Sequence, residues 1–368
     1  MTLPKILVTG ATGKTGGAVV RQLREKGLPV RAIVRTRDSR SETLASLGVD
    51  VVVADMFDPE QLAGALKGVH RAYYCPPISP YTSVTLTSFL YAAEKARLES
   101  VVAMTQWLAS PHHPTQMTRD MWTVEQIMPT LRNASVTILN PGFFADNYFR
   151  VAIGMAAQLG LYANLVGDSQ DVPPSNEDIA RVAAAVLVDP ARHDGRRYRI
   201  TGPALIGVDD IVGSLSRVLK RTVRPFNAPE WLLNKVAAYR FRGDLRYDMA
   251  VFHHYLVDHR QGAFALGGPT DAVAETTGKS AESLDETVLA YAARPEAQRN
   301  LSAFTSAFSE FMASPLWRGY DHDRHERQIG VPKLGHSQYA MEDEQWKADR
   351  LAQLSGNRIV ALGTARSA

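Results

Sequence analysis

Cysteine is nearly missing from this chain. Among 368 residues only Cys75 carries a thiol, so no intrachain disulfide can form and a reducing compartment is expected. An excess of one charge sign is missing too. Lys and Arg number 41 against 38 Asp and Glu, which leaves a formal net charge of +3 and argues against a nucleic-acid partner, whose footprint needs clustered basic residues. No apolar run approaches a membrane span, and none is expected to enter a bilayer. The first strand-like run opens directly at the chain start, so no secretory signal is expected and the expected location is the cytoplasm. Repeats and low-complexity tracts are absent. No metal site is expected: His322, His325 and His336 match no ligand spacing and read as a solvated, charged loop, as do His112-His113 and His253-His254. Cys75, in Ala72-Tyr73-Tyr74-Cys75-Pro76-Pro77, reads as a packed small residue at a strand end rather than a nucleophile.

What is there is a glycine turn in a telling context. Gly10, Gly13 and Gly16 follow an apolar run, Ile6-Leu7-Val8, and precede a helix-like run from Ala18 to Lys26. Glycine allows a positive φ and lets phosphates approach without a Cβ in the way. The free N–H groups and dipole at the following helix start attract negative charge. The segment reads as a site for a dinucleotide pyrophosphate. The second strand candidate, Val30 to Val34, ends in Arg35-Thr36-Arg37. An acid there would accept from a ribose 2′-OH; two arginines instead suit a 2′-phosphate in charge and fork geometry, so NADP(H) is the expected cofactor. Lys14 adds positive charge in the turn. After the third strand candidate, Asp55 is placed to accept from an adenine amino group; equally, Asp55 or Asp58 is placed to cap the helix beginning near Pro59.

Hydrophobic residues make up 45% of the chain, enough for a large core in one large or two ordinary domains. Strands are expected near 5–9, 30–34, 49–54, 70–75, 100–105 and 135–140, and helices near 15–26, 41–47, 59–67, 84–97 and 117–131. This alternation predicts an α/β fold with a doubly wound parallel sheet. A helix over 176–188 and a seventh strand over 197–201 rejoin that sheet. The expected division is therefore a nucleotide domain of residues 1–150 plus 176–202, a substrate lobe of 151–175 and 203–294, and a C-terminal extension of 295–368. Within the extension, 302–312 and 342–354 are helix-prone and 318–339 is loop-like. It is expected to wrap the core or to touch a second subunit, making a homodimer.

Several segments together resemble the NmrA-like group of atypical short-chain dehydrogenases. They are Val8 to Gly16, Val30 to Arg35, Asn140-Pro141-Gly142-Phe143-Phe144-Ala145-Asp146-Asn147, Asp178 to Pro190, Tyr198 to Pro203, and Glu275-Thr276-Thr277-Gly278. The resemblance covers about residues 3–293 and leaves the tail out. It implies a Rossmann-type domain with a smaller, mostly helical substrate lobe, usually preferring NADP(H). By position it implies that Gly10, Thr12, Gly13, Lys14, Thr15 and Gly16 line the pyrophosphate and ribose, and that Arg35, assisted by Arg37, meets the 2′-phosphate. It places Asp55 and Met56 beside the adenine, Pro76 and Pro77 near the nicotinamide ribose, and Thr105 and Gln106 against the nicotinamide.

The Tyr-x-x-x-Lys pair of the wider superfamily is absent. Where some atypical reductases keep a Lys four residues before a Glu, alignment on Glu125 puts Met121, and Asn140 stands where an Arg is common. Hydride acceptors such as quinones or cationic dyes need no protein acid, because the cofactor carries the chemistry. The leading expectation is an oxidoreductase: an NADPH-dependent reductase of a small aromatic, conjugated or quinone-like acceptor. The alternatives are a non-catalytic NADP(H)-sensing regulator acting through a protein partner, and a biosynthetic reductase gated by the tail. Of the aromatic residues Tyr74, Tyr81, Trp107, Phe143, Phe144, Tyr148 and Phe149, those following strand ends, Trp107, Phe143 and Phe144, are the expected pocket walls. Tyr81 is the tyrosine available in the loop after the fourth strand to replace the missing acid, with Gln106 as the other candidate.

Overall fold

The computed structural model describes residues 3–241 and 246–356. The apolar runs form β1 (Ile6–Val8), β2 (Val30–Val34), β3 (Asp50–Val53), β4 (Arg71–Tyr74), β5 (Ser100–Met104) and β6 (Ser135–Leu139). Between them lie α1 (Lys14–Glu25), α2 (Ser39–Ser46), α3 (Pro59–Ala65), α4 (Thr82–Ala96) and α5 (Gln116–Ile127). Then come α6 (Ala145–Phe149), α7 (Ile153–Leu159), β7 (Leu161–Asn164), α8 (Asn176–Val188), β8 (Arg197–Tyr198), α9 (Val208–Val218) and β9 (Arg224–Asn227). After these follow α10 (Glu230–Phe241), α11 (Arg246–Arg260), α12 (Ala272–Thr277), α13 (Leu284–Ala292), α14 (Leu301–Ala313), α15 (His322–Gln328) and α16 (Glu344–Gly356).

Seven strands form one sheet in the order β3-β2-β1-β4-β5-β6-β8, every pair parallel. This is the Rossmann-type, doubly wound α/β fold. The order reverses between β1 and β4, and in such sheets the ligand crevice lies outside the strand C-termini at that reversal. One face of the sheet packs on α1 and α8 through Val19, Leu23, Ile179 and Ala183. The other packs on α3, α4 and α5 through Leu62, Phe89, Ala93 and Val124. Local signals fix the helix starts. The Asp38 carboxylate accepts from the Arg40 and Ser41 amides at the head of α2. Asp58, not Asp55, caps α3, accepting from Glu60 and Gln61 ahead of Pro59. Asp55 instead accepts from the Phe57 amide at 2.9 Å.

β8 is shorter than the expected 197–201. Only Arg197 and Tyr198 pair, with Ile138 and Leu139. Beyond them the chain turns out of the sheet, because the fully buried Arg199 donates to the Phe264 carbonyl at 2.7 Å and Thr201 binds Thr270. β7 and β9 form a separate parallel pair outside that sheet.

The tail packs onto the molecule. Trp346 of α16 sets its ring edge-on to Trp107 at 5.9 Å, and the Ala340 amide donates to Asp258 at 3.0 Å. The stretch 318–339, expected to be loop, contains α15, whose Asp321 cap accepts from the Arg324 amide and whose Glu326 faces inward against α11. The same packing overturns the reading of the histidine pairs as solvated. His113 is fully buried, its Nε2 2.8 Å from Asp258 and its Nδ1 accepting from the Thr115 amide. His254 Nδ1 meets the Tyr339 hydroxyl at 2.9 Å, and burial pushes its pKa down to about 3, with His113, His253 and Lys333 adding to the effect. Closure of the tail over α11 withdraws both rings from water, and neighbouring carboxylate and hydroxyl groups satisfy them. Among the described residues no cluster of His, Cys, Asp and Glu is arranged to hold a metal ion, and no helix is long and apolar enough to cross a membrane. The outer face of α14 is left bare, with Leu301, Phe304, Phe308 and Met312 exposed.

Candidate active site

The glycine turn closes on itself. Gly10 has φ +61°, and its carbonyl accepts from the Gly13 amide at 2.9 Å. A Cβ built on Gly16 would stand 2.7 Å from the Gly10 carbonyl carbon, so only glycine fits there. α1 starts at Lys14 with no side-chain cap, which leaves its first N–H groups for a ligand. Thr15 Oγ donates to Asn176 at 2.7 Å and Lys14 Nζ to Asp146 at 2.6 Å, so the turn is tied to α8 and α6. Partial burial lowers the Lys14 pKa, with Asp146 acting against it. Cys75 lies beside Gly10, and burial pushes its thiol up to about 12, as suits a packed group.

From this turn a cavity of about 730 Å³ runs on to residues of α7, α10, α11 and α14. Of the residues singled out in the sequence, Gly10, Gly13, Lys14, Thr15, Gly16, Pro76, Thr105, Gln106, Phe143 and Phe144 line it. Thr12, Arg35, Arg37, Asp55, Met56 and Pro77 lie outside it, toward solvent beyond the strand ends. Arg35 is exposed and makes no hydrogen bond or ion pair with the described residues, whereas Arg37 donates to the Val51 carbonyl at 3.1 Å.

Two expectations about this wall need correction. Trp107 does not reach the cavity. Its indole N–H donates to the Ala263 carbonyl at 2.9 Å, the Arg199 guanidinium covers its ring at 3.9 Å, and Trp346 of the tail closes the edge. Tyr81 also stands apart. It is half exposed at the head of α4, its hydroxyl 3.4 Å from the Ile329 carbonyl, and it does not line the cavity.

Instead, Gln106, a candidate named from the sequence, pairs in the cavity wall with Tyr255, which sequence reasoning missed. The Tyr255 hydroxyl, from α11, donates to Gln106 Oε1. Gln106 Nε2 is buried with no hydrogen-bond partner among the described residues. An orphaned buried donor costs free energy unless a ligand meets it. Burial holds the Tyr255 pKa well above the usual phenol range, so the group keeps its proton. No pattern in 246–260 distinguishes Tyr255 from a core tyrosine; only the placement of α11 does. Met117 and Met121 of α5 line the cavity where a proton-handling side chain was sought.

Behind that wall sits Glu125, fully buried. Thr105 Oγ donates to it at 2.9 Å, Asn140 Nδ2 also donates, Arg197 donates at 2.8 Å and Arg350 at 3.3 Å. Arg350 further donates to the Ala109 carbonyl, and Gln353 Nε2 to Asn140. Trp346, Arg350 and Gln353 share one face of α16. Their spacing was visible in the sequence, but so polar a stripe reads as solvent-facing. A second buried cluster flanks Phe143. Tyr148 donates to Asp171 at 2.9 Å and meets His259 Nε2, while His259 Nδ1 lies 2.7 Å from Ser169 Oγ. Burial pushes Asp171 up to about 8 and His259 down to about 4.

Residues 3–88 match the model of the NmrA-like family. An NAD(P)H azoreductase of Xenophilus azovorans is 31% identical over 220 residues, which is 60% of this chain and 75% of the azoreductase. The chain belongs to the NmrA-like family. Solved structures agree on the fold. Triphenylmethane reductase of Citrobacter sp. complexed with NADP(H) superposes with a TM-score of 0.66 at 22% identity, covering 78% of this chain and 99% of the reductase. An NADPH-dependent quinone oxidoreductase of Escherichia coli does so at 0.64 and 23%, covering 77% and 98%. Both are thus matched almost whole, and a little over a fifth of this NmrA-like chain reaches beyond the fold it shares with them.

Proposed function

We propose that this chain is a cytoplasmic NADPH-dependent reductase of a small conjugated or quinone-like acceptor. The orphaned Gln106 amide in the wall of a largely apolar cavity carries this reading. The similarity to an NAD(P)H azoreductase supports it. The glycine turn fits a dinucleotide: the Gly16 position excludes a Cβ and the α1 N-terminus is uncapped. Gly10, Thr12, Gly13, Lys14, Thr15 and Gly16 would hold the pyrophosphate and ribose, Arg35 and Arg37 the 2′-phosphate, and Asp55 and Met56 the adenine. Pro76, Pro77 and Thr105 would border the nicotinamide. The bound cofactor supplies hydride. Gln106 donates to the acceptor's carbonyl oxygen, where negative charge grows. Tyr255, donating to Gln106 Oε1, fixes the amide and leaves its N–H₂ without a partner among the described residues. Phe143, Phe144, Met117 and Met121 exclude water and leave room for a flat ring. The division into a nucleotide domain (1–150 with 176–202), a lobe (151–175 with 203–294) and an extension from 295 belongs to the same proposal, as does a homodimer through the bare face of α14.

The test is NADPH oxidation with a panel of quinones and azo or triphenylmethane dyes. Turnover is expected, and Gln106→Leu is expected to lower kcat/KM about 10- to 100-fold, the range for a lost transition-state donor of about 1.5–3 kcal/mol. Inertness toward the whole panel with tight cofactor binding would instead favour an NADP(H)-sensing regulator, the reading that the apolar Met121 supports.

A further inference from the structure

The cavity is longer than a flat acceptor needs. Past Phe143 and Tyr148 it continues between α7, α10 and α14, and its far walls are Val151, Met155, Trp231, Leu233, Val236 and Phe311. Ala303, Ser306 and Ala307 of α14 also line it, and their small side chains leave this arm open. Trp231 and Phe311 are partly exposed at its far end. The charged side chains along the arm are Arg150, Asp248, Glu296 and Glu310, and hydrocarbon walls make up most of the rest. Such an arm gains little from water and much from methylene groups.

We propose that the acceptor carries a long apolar chain, and that this chain lies in the arm between α10 and α14 while the conjugated head sits at Gln106. The inference rests on the reductase reading and names its substrate class. A linear hydrocarbon or isoprenoid chain suits walls that are mostly hydrocarbon. Here α14 serves a ligand as well as the fold, giving the tail a part in substrate choice.

The experiment uses the full chain with NADPH and a series of quinones sharing one ring, with alkyl chains of increasing length, each below its critical micelle concentration. KM is expected to fall about two- to fourfold per added methylene until the arm is full, with kcat unchanged, as uniform binding requires. Ala307→Trp, which fills the arm, is expected to flatten that series. A KM independent of chain length, in a protein that reduces the chainless quinone, overturns the inference and leaves the reductase reading intact. Failure to reduce any of them defeats that reading instead. The arm is then judged by binding alone, from quenching of tryptophan fluorescence by the same series in the presence of NADP⁺: affinity rising with chain length sustains the arm, and flat affinity rejects it.

Discussion

At the scale of single residues, charge and burial decide most of what this site can do. Arg35 stands exposed and unpaired just beyond β2, where the proposed function places the cofactor's 2′-phosphate. Arg35→Ala is expected to weaken NADPH binding about 10- to 100-fold, the loss of a charge-assisted hydrogen bond, and to leave NADH binding unchanged. Titration of both cofactors against both proteins checks this, and tighter NADH than NADPH binding by the unmutated chain would refute it. Asp171 sets a pH dependence. Burial raises its pKa to about 8, whereas an unfolded carboxyl titrates near 4. Between those values the folded chain holds a proton that the unfolded chain has released, so stability falls as pH rises. His259, lowered to about 4, has the opposite sign below its ordinary 6.5, where the unfolded chain takes up the proton. From about pH 6.5 to 8 the Asp171 effect is therefore unopposed by His259. Urea unfolding is expected to show declining stability across that window, and Asp171→Asn is expected to remove the decline.

At the scale of elements, α16 is the part whose role was least visible. It plugs Arg350 into the buried Glu125 carboxylate, directly behind Thr105 and Asn140. Removing one partner of a buried pair leaves an uncompensated charge, at a cost of about 3–5 kcal/mol. Arg350→Met is expected to fall at the lower end, about 3 kcal/mol, because Arg197 still meets Glu125. Thermal or urea unfolding measures it, and an unchanged midpoint would show that the ion pair does not hold. The Glu125→Gln, Arg350→Met double variant should lose less than the sum of the single losses, since the two share one network. The helix itself was legible, because 342–354 has helical composition and spacing. Its partner was not, because a stripe of Trp346, Arg350 and Gln353 says nothing about a carboxylate more than two hundred residues away. The histidine pairs failed as solvated segments for the same reason: His113 finds Asp258 only when α11 packs beside it, and His254 finds Tyr339 only when the tail closes over α11.

At the scale of the whole molecule, one apolar surface has no cover among the described residues. Leu301, Phe304, Phe308 and Met312 line the outer face of α14, and the Phe304 and Phe308 rings stack at 6.1 Å. Exposed apolar patches of this kind mark contact sites. Light scattering is expected to give twice the chain mass for the unmutated protein and the single mass for the Phe304→Ser, Phe308→Ser double variant. A single mass for both would reject the homodimer. By itself the sequence determined the parallel sheet, the order of its strands and helices, and the glycine turn, because period, propensity and glycine sterics are local and need no partner. The strand boundaries beyond β6 and the burial of Trp107 were decided by the tertiary structure, as were the pairing of Gln106 with Tyr255 and the seating of α16 against Glu125. Each of these depends on groups far apart in sequence meeting in a low-dielectric interior, where an unpaired polar atom is costly and the fold must supply its partner.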